Sequence, residues 1–178
     1  MPGWAIALLV TAAIVLLVVG PLAALAIAGV SNYIAAAKTA EARNSLGAIS
    51  REAVRTYEAE QASGAKQAED TIARRLCPSA TLPVPAHIAL ISGRKYMSTP
   101  GEWERDKEAK AGFSCLGFSM SSPQYYQYDY KAQGDAFTAI ARGDLDSDSV
   151  FSEFKLGGTI VNGELRVNQA IEESNPNE

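Results

Sequence analysis

Apolar and polar positions divide the chain into three textures. Residues 1–37 carry no charged side chain, and 27 consecutive residues from Trp4 to Val30 are uncharged. As a helix rising about 1.5 Å per residue this run is about 40 Å long, against about 30 Å of bilayer hydrocarbon. Residues 1–30 therefore read as the membrane-spanning half of a helix, in which Gly20 and Pro21 are tolerated if neighbouring protein satisfies the freed backbone groups. The alternative is a cleaved secretory signal, since residues 24–28 (Ala-Leu-Ala-Ile-Ala) offer small-x-small sites. Against it, no basic residue precedes the run, which is long for a signal core. The pattern then changes without a break. Ala42, Leu46, Ile49, Ala53 and Tyr57 recur at intervals of four, three, four and four, one apolar stripe with Arg43, Arg51, Glu52, Arg55 and Glu58 off it. Ser63-Gly64 is the first terminator. Residues 31–62 are thus the amphipathic half of the same helix, and their stripe needs a covering layer.

That layer is predicted downstream. Residues 63–112, punctuated by prolines, read as an irregular connector with a short helix near Glu69–Leu76. Residues 113–168 have strand texture. Leu116, Phe118 and Met120 alternate with small residues, and Tyr126, Tyr128 and Tyr130 alternate with polar ones. Gln133-Gly134-Asp135 turns the chain into Ala136–Arg142, and Asn162-Gly163 between Thr159–Val161 and Glu164–Val167 is a type I′ hairpin signal. A tyrosine stripe can stack sugars or bases, but at period two it fits a sheet face packed on a helix better. Residues 169–178 read as a flexible tail. The fold class expected is α+β, a long N-terminal helix on a small antiparallel sheet.

Composition narrows the chemistry. Sixteen Lys+Arg against 20 Asp+Glu give a net charge of −4, which argues against a nucleic-acid surface. The single histidine, His87, stands in a proline-rich stretch, and no metalloprotease, phosphate-loop or nucleophile-elbow motif is present. We expect no enzyme and no small-molecule substrate. Cys77 and Cys115 are an even pair, consistent with one disulfide in an oxidising compartment, with two buried thiols as the alternative. Lys38 and Arg43, beyond the apolar run, favour a cytoplasmic body by the positive-inside tendency; the cysteines point to the other side. Asp144, Asp146 and Asp148 alternate as the oxygen ligands of a calcium loop do. Ser149 stands where such a loop has glycine and Lys155 where it has a bidentate glutamate, with Glu153 the nearest substitute. Residues 143–178 hold eight acidic and two basic side chains, so a cation would relieve repulsion there; a solvated acidic turn is the alternative.

Several segments also resemble a known family. Residues 19–28 (Val-Gly-Pro-Leu-Ala-Ala-Leu-Ala-Ile-Ala) and the following Lys38-x-x-Glu41-Ala42 with Asn44-Ser45-Leu46 are similar to the helix of type IV pilins and type II secretion pseudopilins. Residues 116–120, the tyrosines 125–128 and the Gly143-Asp144-Leu145-Asp146-Ser147-Asp148 loop resemble, in that order, pilin-like proteins of deltaproteobacterial type. The resemblance implies a filament subunit that joins other pilin-like subunits through its apolar helix while its sheet domain tiles the surface. It also implies a place in a bacterial inner membrane, with the C-terminal domain periplasmic, or in an extracellular pilus. Where the family has a cleavage glycine and a buried glutamate, counted from Gly20, this chain has Ile6 and Thr11. Gly3-Trp4 is the nearest peptidase-like junction, three residues out of step. The missing carboxylate implies weaker axial registration or a specialised minor subunit.

Overall fold

The computed structural model describes residues 3–64 and 76–176, without the side chains of 5–10, 24, 27–28, 31–32 and 61–64. The chain forms two compact units, residues 1–37 and residues 38–178. Helix α1 spans Gly3–Gly64 with Pro21 inside it. In the first unit its apolar side chains are uncovered: Leu16 is 74% exposed, Leu17 75% and Leu25 70%. Among the described residues no helix is long and apolar enough to cross a membrane. The expected spanning stretch 1–30 falls in part on side chains outside the described residues.

The second unit is an α+β domain built on a five-stranded antiparallel sheet. Strands β1 (Gln127–Gln133), β2 (Ala136–Gly143), β3 (Ser152–Val161) and β4 (Glu164–Val167) follow in chain order, and β5 (Glu172–Ser174) pairs with β3. Gly134-Asp135 closes the β1–β2 hairpin, since Gln133 pairs with Ala136. Asn162 (φ 54°) and Gly163 (φ 80°) close β3–β4 with the two positive φ values of a type I′ turn, whose twist matches that of the strands. The outer edge of β1 is not bare. Val84 and Tyr128 exchange backbone hydrogen bonds of 2.8 Å, and the Ala80 N–H reaches the Tyr130 carbonyl at 2.9 Å. The connector thus blunts an edge that would otherwise invite pairing with another chain.

The sheet's inner face mixes large and small side chains across its strands. Tyr128, Ala141 and Phe154 lie in one cross-strand row, and Tyr130, Ala139 and Leu156 in the next. A third row places Ala132 beside Phe137 and Gly158. A Cβ on Gly158 would stand 2.5 Å from the Phe137 ring, so glycine is what leaves room for that ring. The stripe residues of α1 complete this core: Ala42, Leu46, Ile49, Ala53 and Tyr57 are all buried and share one cluster with the tyrosines and with Phe137, Phe154 and Leu156. Burial of such side chains stabilises by about 1.5–3 kcal/mol each for the larger ones.

Two expectations are corrected. Residues 113–120 do not begin the sheet; Gly112–Leu116 is a short helix, α3, after another at Pro100–Trp103, α2. Gly112 (φ 55°) starts α3 and Gly117 (φ 70°) ends it in the left-handed cap conformation that glycine favours. Phe113 and Leu116, one helical turn apart, are both buried, and this spacing outweighs the alternation of Leu116, Phe118 and Met120. Second, the tail 169–178 contains β5, held where Arg43 grips Glu173 through two hydrogen bonds of 2.7 and 2.8 Å. Within the connector 63–112 lie a 3₁₀ turn at Ile88–Leu90 and α2. The short helix expected near 69–76 lies, up to residue 75, outside the described residues.

Tyr130 carries a testable inconsistency. Its ring is fully buried and stacks on Phe137 at 5.7 Å, but its hydroxyl has no hydrogen-bond partner among the described residues. An unsatisfied buried hydroxyl costs about 1–3 kcal/mol. Tyr130→Phe keeps the ring and removes the hydroxyl, so chemical denaturation should show a gain of about 1 kcal/mol. A loss would mean that the hydroxyl has a partner, such as an ordered water.

Candidate functional site

Two surfaces and one loop concentrate the chemistry. The first surface is the seam between α1 and the sheet, pinned by polar groups at its margins. Glu41 accepts the Tyr125 N–H at 2.7 Å and lies 3.4 Å from the Tyr128 hydroxyl. The Tyr57 hydroxyl donates to the Gly163 carbonyl at 3.1 Å, and the Thr39 hydroxyl to the Pro176 carbonyl at 3.0 Å. Arg43 holds Glu173 and lies 6.0 Å over the Phe154 ring. Helix register is therefore fixed against the start of β1, the β3–β4 turn and the C-terminal strand. Sequence reasoning found the apolar stripe but not these pins; the carboxylate Glu41, beside the stripe at Ala42, was the signal available.

Glu41 has a pH consequence. Burial raises its carboxyl above the ordinary glutamate value, partly opposed by the hydrogen bond from Tyr125 and the charge of Lys95. A raised acid is favoured in its protonated form, so its contribution to stability is full below the ordinary glutamate value and is lost as pH rises through the folded-state value. Glu41→Gln keeps an acceptor for the Tyr125 N–H and has no charge to bury. Thermal melts across acidic to neutral pH should show the wild type losing stability relative to Glu41→Gln as pH rises; a constant difference would refute the assignment. Glu102, Glu153 and Glu173 contribute in the opposite direction, their carboxyls being lowered by hydrogen bonds and cations, and they cancel in this comparison.

The second surface is the uncovered apolar side of α1 in the first unit. Ile14, Val15, Leu16, Leu17, Val18 and Val19 are all more than half exposed, so the surface runs all round the helix and is not a stripe. A patch of this kind left in water favours association or lipid. Gly3 and Trp4, the processing junction considered above, stand in the first turn of α1, with the Trp4 side chain exposed. Thr11, where the resembling family has its glutamate, is also exposed.

The loop between β2 and β3 brings the three aspartates together, one carboxylate oxygen from each within 4.8 Å of the others. Asp144 is buried and accepts the Ser92 hydroxyl at 2.6 Å and the Ser147 N–H at 2.8 Å. Asp146 accepts the Asp148 N–H at 3.2 Å, and Asp148 the Val150 N–H at 2.7 Å. These bonds shape a loop in which Ser147 and Ser149 adopt positive φ. Glu153, named as a possible fourth ligand, is not in this group. It points along the sheet between Arg142, at 2.6 Å, and Lys155. Its alternative partners are two cations, and that competition was not visible from spacing.

Cys77 and Cys115 form a disulfide that ties the connector to α3. Beside it the Gly112 N–H donates to the Pro78 carbonyl at 2.9 Å, and Asp106 accepts both the N–H and the hydroxyl of Thr81. His87 is exposed at the wall of an open groove of about 610 Å³ that includes Gln127, Arg142 and Phe151. Arg142 in this groove is already paired with Glu153. No family model, curated protein or solved structure matches this chain.

Proposed function

We propose that the chain is a structural subunit of pilin-like kind, held in a bacterial inner membrane by the apolar half of α1 and assembling with copies or with similar subunits through that half. The observation that carries this reading is the division of one helix. Its outer half buries a stripe under a sheet, while its first half, at residues 14–19, presents large apolar side chains on all sides that are more than half exposed among the described residues. Burying such side chains against lipid or neighbouring helices removes the cost of exposing them. The disulfide supports placing the sheet unit on the oxidising side of the membrane. The fold supports a role in which the sheet unit is displayed.

Thr11 favours a second form of the same reading, an anchor that stays solitary or occupies a filament tip. A carboxylate at that place would have to find a partner charge in lipid, where an unpaired one costs about 2.5–3.5 kcal/mol, and threonine imposes no such requirement. The test is fractionation of the native host. The protein should stay with membranes through an alkaline wash, and electron microscopy of sheared surface material separates filament subunit from solitary anchor. Recovery of a soluble form cut near Ala26 or Ala28 would overturn both and leave a secreted binding protein.

A further inference from the structure

The structure carries a pair of cations of which only Lys95 has a role above, through its charge on Glu41. Lys38 and Lys95, far apart in sequence, both stand over the ring of Tyr125, with their Nζ atoms 5.0 and 4.7 Å from its centroid. Lys95 is exposed, and Lys38 and Tyr125 are half-buried. Two like charges held on one ring repel each other, and the π-face only partly offsets this. Glu41, on which the charge of Lys95 acts, also accepts from the Tyr125 N–H and lies by the Tyr128 hydroxyl, so one carboxylate is shared among several groups. Two ammonium groups thus face one shared carboxylate, and an external anion would offset the positive charge left over.

The position along the chain says which anion. Lys38 is the first charged side chain in the sequence. The uncharged helix before it, residues 4–37, is about 50 Å long at 1.5 Å per residue, against about 40–45 Å for a bilayer with its headgroups. Lys38 thus leaves the apolar stretch at headgroup level, and Lys95 and Tyr125 are gathered to it. Tyrosine and lysine are the residues that sit at this level in membrane proteins. We propose that Lys38, Lys95 and Tyr125 form a docking site for the phosphate headgroups of anionic phospholipids. The inference depends on the membrane reading above, and its test separates the two.

The full chain is reconstituted with vesicles of phosphatidylcholine alone and with vesicles containing about a third phosphatidylglycerol. Flotation with both through high salt tests the membrane reading by itself; failure to float with either overturns that reading and this inference with it. On floated protein, a water-soluble amine-acetylating reagent followed by peptide mass spectrometry measures the reactivity of each lysine. An anionic surface is worth about a fivefold preference per nearby lysine. Lys38 and Lys95 should therefore react about fivefold more slowly in the anionic vesicles, with high salt restoring the rate, while the exposed Lys107 and Lys110 react equally in both. Equal rates for Lys38 and Lys95 in the two vesicles, with flotation intact, overturn the docking site and leave the membrane reading standing. Equal protection by inorganic phosphate added to phosphatidylcholine vesicles overturns the lipid assignment in favour of a free-phosphate site.

Discussion

Leu46→Ala is expected to lower the stability of the sheet-bearing unit by about 2–5 kcal/mol, a large part of what a domain of this size possesses. Leu46 is fully buried at the middle of the α1 stripe, between Ala42 and Ile49, and it belongs to the same core as Tyr128, Tyr130 and Phe154. Alanine is the best helix former, so the substitution leaves the helix intact and removes only side-chain volume. The cavity it leaves is walled by a sheet whose rows already alternate large and small residues, and such a wall cannot collapse onto the gap. Glu58→Ala, on the exposed side of the same helix, should change stability by less than about 0.5 kcal/mol. Denaturant titration of both variants in one detergent decides the matter. Equal effects would mean that the helix does not hold the sheet.

Removing the disulfide, through Cys77→Ala together with Cys115→Ala, is expected to be comparably costly. The bond closes a loop over a sequence separation of 38, which the chain-entropy model rates at about 4 kcal/mol. The hydrogen bonds around it, from Gly112 to Pro78 and from Thr81 to Asp106, keep the folded connector in place without it. Most of the loss should therefore arise from a freer unfolded chain, and the native circular dichroism should be unchanged. A fall in midpoint with an unaltered native spectrum is the predicted result. Loss of the native spectrum before any denaturant is added would show instead that the bond organises the connector.

Much of the sheet-bearing unit was legible from period and punctuation. The stripe at Ala42, Leu46, Ile49, Ala53 and Tyr57 was readable because one helical face must be apolar to be covered. Asn162-Gly163 was readable because few other pairs adopt two positive φ values cheaply. The cysteine pair was readable from its even count, with free thiols left open. What was not legible came from contacts between distant segments. Alternation in Leu116, Phe118 and Met120 suggested a strand, and only the glycines at 112 and 117, both with positive φ, mark the short helix that forms there. The polar tail gave no sign of β5 because its partners, Arg43 and the β3 edge, lie more than a hundred residues and about twenty residues earlier. The alternating aspartates did predict a gathering of carboxylates, but Glu153 is drawn away by Arg142 and Lys155, one across the β2–β3 pair and one two residues along.

The proposed assembly requires the first half of α1 to meet other helices or lipid through the apolar side chains that are exposed among the described residues. Both native cysteines are in the disulfide, so a cysteine introduced at each position from 14 to 19 in turn is the sole free thiol. Oxidative cross-linking of these variants in membranes of the native host is the most direct measurement. Assembly predicts dimers whose yield rises and falls with the 3.6-residue period of a helix packed on its neighbours. Uniform absence of cross-links, together with release of the protein from membranes by alkaline wash, would contradict it.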